Sequence, residues 1–140
     1  MSHVSTIDLK IKSLEAVKAM CKRMGWEFRE NQKKYAWFGR WVGDSPMPEG
    51  MTVDQLGKCD HAIHVPGSSY EIGLVKRGDH YTAVWDYWSS GQLLRPLGGQ
   101  EAPKLKQAYA VEAAKLEARK RGWLVKERKT KDSIQIVLMR

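Results

Sequence analysis

Cysteine is scarce in this chain: Cys21 and Cys59 are the only two in 140 residues. That is too few for the disulfide framework on which small secreted domains depend. Long apolar runs are missing as well, none approaching the roughly 18 residues of a membrane span. The start, MSHVSTIDLKIKS, has no apolar stretch of signal-peptide type, so a cytoplasmic protein without membrane contact is expected. Common catalytic signatures are absent too: GxxxxGK[ST], HExxH, GxSxG and paired CxxC motifs do not occur, which counts against the common enzyme classes.

What remains is a chain that can build its own core. Its length is one domain's worth, residues 1–140, enough to bury roughly two-thirds of the surface an unfolded chain exposes. With 42% hydrophobic and 29% charged residues it has globular rather than disordered composition. The net charge of +8 is uneven: residues 1–41 carry nine basic and four acidic side chains, residues 42–102 four and eight, and residues 103–131 ten and three. The basic ends could simply be neutralised by the acidic middle in the fold, or could form a surface for nucleic acid or another polyanion.

Alternation at Ile7, Leu9 and Ile11 predicts a first strand. Ser13 suits an N-cap, Leu14, Val17, Cys21 and Met24 recur at helical spacing, and Gly25 suits a left-handed stop, predicting a helix over Leu14–Met24. Trp26–Glu30 and Tyr35–Trp41 read as strands about the turn at residues 31–34, followed by a punctuated loop from Val42 with a short helical turn at Thr52–Leu56. A strand over His61–Val65 precedes YEIGLV and YTAVWDYW, which form a hairpin about Gly78. Pro103 opens a second helix that Gly122 closes. The last hairpin pairs Trp123–Glu127 with Ser133–Leu138 around Lys131-Asp132. CKRMGWEFRE and ARKRGWLVKE echo each other, each ending a basic helix with Gly-Trp and starting a strand. The expected fold is α+β: a single antiparallel sheet of five to seven strands with two helices packed on one face.

Three sets of residues invite a functional reading. Asp86, set among aromatics, together with Glu71 and His80 could form a small hydrolytic site, or the carboxylates could be structural acceptors for backbone N–H groups or an Arg. Cys59, Asp60, His61 and His64 resemble a metal cluster on paper, but on one strand His61 and His64 point to opposite faces, so no metal and no cofactor are expected. Basic residues interleaved with aromatics can bind nucleic acid. The cations are Lys33, Lys34, Arg40, Arg119, Lys120, Arg121, Lys126, Arg128, Lys129 and Lys131. Trp41 and Trp88, at strand ends beside loops, are the aromatics expected at the surface; Trp37 and Trp85 are further candidates, with Trp85 read chiefly as core. The cluster Arg119-Lys120-Arg121 has a structural explanation of its own in the helix dipole.

The segments MSHVSTIDLKIKSLEAV, YEIGLVKRGDHYTAVWDYW and LKQAYAVEAAKLEARKRGWLVKERKTKDSIQIVLMR together resemble the domain-of-unknown-function family numbered 1257, a plastid and cyanobacterial reading-frame family with bacterial and phage members. The resemblance implies a small soluble protein and no settled activity. The leading expectation is a non-enzymatic binding protein that engages nucleic acid, or a nucleic-acid-associated partner, through its basic ends. The alternatives are a protein–protein adaptor or inhibitor, and a small hydrolase centred on Asp86, Glu71 and a histidine.

Overall fold

The computed structural model describes residues 3–41, 43, 47, 48, 50–131 and 133–139. Val42 and Asp132, at the start of the expected loop and in the expected final turn, lie outside them. Five strands form one antiparallel sheet in the order β1-β5-β4-β3-β2, with β1 Val4–Thr6, β2 Glu27–Arg29, β3 His61–His64, β4 Glu71–Arg77 and β5 His80–Asp86. The stretch YTAVWDYW therefore lies mostly in β5, paired on both sides. Gly78 at φ 67° supplies the positive backbone angle that the two-residue turn between β4 and β5 needs.

The first strand forms earlier than the alternation predicts. Ile7 donates to the Ala83 carbonyl, Leu9 turns back on Ile7, and Ile11 returns to exchange both backbone bonds with Tyr81. Ile7 and Ile11 are both buried, so the apolar periodicity marks contacts of a kinked edge rather than a continuous strand. Helix α1 runs Leu14–Met24 as expected: the Ser13 hydroxyl accepts the Ala16 N–H, and Gly25 closes the helix at φ 74°. Helix α2 is a single turn, Leu94–Leu97, and α3 runs Pro103–Lys120.

Register separates the two faces of the sheet. Ile63, Ile72, Leu74, Ala83 and Trp85 face α1 and α3 in the main core, with Val17, Met20, Leu105 and Tyr109 opposite them. The Tyr109 hydroxyl accepts the N–H groups of Lys12 (3.0 Å) and Ser13 (3.2 Å), fixing the start of α1 against α3.

The other face is covered by chain without regular strands. Tyr35–Trp41, expected as a strand, forms none; only an isolated bridge joins Lys34 to Lys58. Its aromatics instead fold down onto the sheet, where Tyr35, Met51, Leu56 and Cys59 make a second core with Val4, Ala62 and Val84, and Trp37 and Trp41 pack at its margin. Packing on the sheet face, rather than pairing at its edge, is the alternative use of an aromatic alternation. A short 3-10 turn at Val53–Gln55 occupies the expected helical turn.

The final hairpin, β6 Leu124–Lys129 with β7 Ile134–Met139, is a separate two-stranded sheet. The two Gly-Trp junctions do share one geometry. Gly25 and Gly122 are both left-handed, and Trp26 and Trp123 donate back to Cys21 and Ala118. One junction feeds an edge strand of the main sheet and the other feeds the free hairpin. Among the described residues no helix is long and apolar enough to cross a membrane.

Candidate nucleic-acid interface

Asp86 and Glu71 face the loop-covered side of the sheet, each two residues beyond the paired Gly73 and Val84. Asp86 is wholly buried: one oxygen accepts the N–H groups of His3 (3.0 Å) and Trp88 (3.0 Å), the other that of Phe38 (3.1 Å). Glu71 accepts from the Ala36 N–H (3.0 Å), the Gln32 amide (3.0 Å) and the Arg29 guanidinium (2.8 Å). Burying a carboxylate is unfavourable unless its oxygens are bonded in this way. The two carboxylates hold residues 32–38 and the amino-terminal segment against the sheet.

His80 does not join them. It opens β5 while Asp86 closes it, roughly 20 Å away at ~3.4 Å per residue, and its ring is bonded to Asp79. His61 lies on the helix side, with Nδ1 accepting the Asn31 N–H (2.9 Å), and burial lowers its pKa. His64 pairs with Glu71 and so faces the other side. No group of three potential metal ligands occurs among the described residues. Both thiols are free, and burial pushes each up to about 12, which leaves them protonated at neutral pH.

The basic candidates divide between two sides of the molecule. Lys33, Lys34 and Arg40 belong to the chain that covers the second face, where the Arg40 guanidinium lies over the Phe38 ring. The others belong to the unit built from α3 and the β6–β7 hairpin. Trp41 is half-buried at the second core, and Trp88 is half-buried and stacked on His3. Neither aromatic stands beside the cations of that unit. Trp123 does: the Arg121 guanidinium lies 5.8 Å from its ring centre.

Among the described residues, two of the three acids of the α3–hairpin unit are bound between its elements, and the third, Glu117, is paired at the surface with Arg121. Glu112 is buried against Arg23 (2.8 Å) and Lys115 (3.5 Å), and Glu127 binds the same two cations, with Lys115 at 2.6 Å. This network ties α1, α3 and β6 together. Its hydrogen bonds from Arg23 and then Lys115 hold the Glu127 carboxyl down at about 2. Glu117 is taken by Arg121 and Glu101 by Lys106. Among the described residues no carboxylate then lies within ion-pair reach of Lys104, Arg119, Lys120, Lys126, Arg128, Lys129 or Lys131.

These cations follow the hairpin from one end to the other. Arg119 and Lys120 close α3 beside the start of β6, and Lys126 and Arg128 alternate along the outer face of that strand. At the far end a cleft of about 440 Å³ opens between the helices and the hairpin turn, lined by Arg23, Lys104, Gln107, Thr130, Lys131 and Ser133. The strand spans roughly 20 Å, room for several phosphates of a nucleic-acid strand. Sequence reasoning missed Lys104 and Arg23, whose roles depend on which helix faces the hairpin. The Arg-Gly-Trp junction was the available signal for Trp123. Compared with family models, curated proteins and solved structures, this chain matches none of them.

Proposed function

We propose that the protein binds nucleic acid through the sugar-phosphate backbone, using the cationic ridge of α3 and the β6–β7 hairpin. The observation that carries this reading is the uneven pairing: the acids of the unit are each taken by Arg23, Lys115 or Arg121, and seven exposed cations are left with no carboxylate in reach among the described residues. Backbone contact, rather than base stacking, fits because Trp41 and Trp88 pack on other elements and Trp123, the tryptophan of this unit, is half-buried with Arg121 over its ring. The resemblance to family 1257 adds no activity, and this reading rests on charge and geometry alone.

Fluorescence anisotropy with labelled single- and double-stranded oligonucleotides tests it. Affinity is expected to fall steeply between about 50 and 200 mM salt, as counterion release requires. The double variant Lys126→Glu/Arg128→Glu should weaken binding by about tenfold or more, since phosphate contacts are lost and repulsion is added. Lys33→Glu/Lys34→Glu, on the far side of the sheet, should leave it nearly unchanged. Absence of binding at the low-salt end would overturn the proposal, and equal losses from the two double variants would move the interface elsewhere.

A further inference from the structure

The β6–β7 hairpin has a second property that its charge does not explain. Four large apolar side chains on it are exposed, Leu124 at 64%, Val137 at 36%, Leu138 at 46% and Met139 at 37%. Three of these lie in β7, whose sequence IQIVLM has no charge, no proline and no glycine. Strand β7 pairs with β6 on one edge, and among the described residues no backbone hydrogen bond is made on its other edge. An uncharged, β-prone strand with an open edge is what proteins avoid leaving exposed, usually by placing Lys, Pro or a bulge there. Strand β6 shows that protection, with Lys126, Arg128 and Lys129; β7 has none of it.

We propose that β7 pairs antiparallel with β7 of a second copy, joining two hairpins into one four-stranded sheet across a two-fold axis. The occupant follows from charge. The partner edge must itself be unpaired and free of charge, and the chain's own β7 meets both conditions, while a β6-to-β6 contact would set cations against cations. A two-fold contact uses the same strand from both sides, so the sequence needs no second complementary surface. Val137, Met139 and Leu124 share the outer face of each hairpin, as their register with β6 requires. In the dimer they form one apolar patch, and the cationic β6 strands lie at its two outer edges. This pairing stands independently of nucleic-acid binding.

Sedimentation velocity on the full chain, without nucleic acid, tests it. The wild-type protein should sediment as a dimer in the micromolar range. Val137→Glu gains a cross-strand partner in Lys126 within its own hairpin, yet sets carboxylates side by side at the two-fold axis, and it should sediment as a monomer with an unchanged far-ultraviolet spectrum. Hydrogen exchange supplies a readout that does not depend on the variant folding. The β7 amides directed away from β6 should gain protection as wild-type concentration rises. A wild-type monomer throughout, a Val137→Glu protein that remains dimeric, or concentration-independent exchange at those amides would each overturn the proposal.

Discussion

Asp86 is where a catalytic and a structural reading of one side chain part most clearly. Its oxygens already receive three backbone N–H groups from three separate segments. Replacing it with alanine would strand these donors in a buried site, and Asp86→Ala is expected to lower stability by about 3 kcal/mol or more, read from urea denaturation. Were Asp86 only an exposed reactive group, the midpoint would not move. Glu127 makes a different kind of prediction. Its folded pKa of about 2 lies below the ordinary 4.5, so its contribution is fully present above about pH 4.5 and is lost as pH falls through about 2. Amide shifts of β6 and β7 should report loosening of the hairpin in that acid window, and Glu127→Gln should remove the pH dependence while weakening the hairpin at neutral pH.

Between elements, the second face of the sheet depends on close approach at a glycine. A Cβ built at Gly73, in the middle of the sheet, would stand 2.4 Å from the Tyr35 ring. Gly73→Ala must therefore lift Tyr35 and the loop that Glu71 and Asp86 hold down. A loss of about 2 kcal/mol is expected, in the range of overpacked cores, with the tryptophan fluorescence of Trp37 and Trp41 altered in the native state. The pairing of Glu71 with Ala36 through both its backbone N–H and its carboxylate shows how irregular chain can cover a sheet while its backbone N–H and C=O groups are bonded.

For the molecule as a whole, the decisive feature is how charge is sorted. Two of the three described acidic residues of the last segment, Glu112 and Glu127, are spent on joining α1, α3 and β6, so the cations of α3 and the hairpin outnumber the carboxylates left to pair with them. The consequence is quantitative. If Lys126 and Arg128 each neutralise one phosphate of a duplex, removing both should reduce the slope of log affinity against log salt by about 1.8. A loss of affinity with an unchanged slope would mean that the two residues act through the shape of the hairpin.

Much of the local structure was legible in the sequence because it is written in short-range chemistry. Ser13 and Gly25 bracket α1, Pro103 and Gly122 bracket α3, and Gly78 turns the β4–β5 hairpin, each through its own backbone preference. The expected α+β class followed from the same pattern and is the class observed. Tertiary structure alone decided three further points. It laid Tyr35–Trp41 on the sheet face instead of at its edge, because an alternating aromatic stretch can bury itself either way. It parted Lys33, Lys34 and Arg40 from the carboxyl-terminal cations, because position on opposite faces is a long-range property. It also made the ridge positive by drawing Glu112 and Glu127 inwards to Arg23, a residue about 90 to 100 positions distant, and no local pattern encodes contacts at such separations.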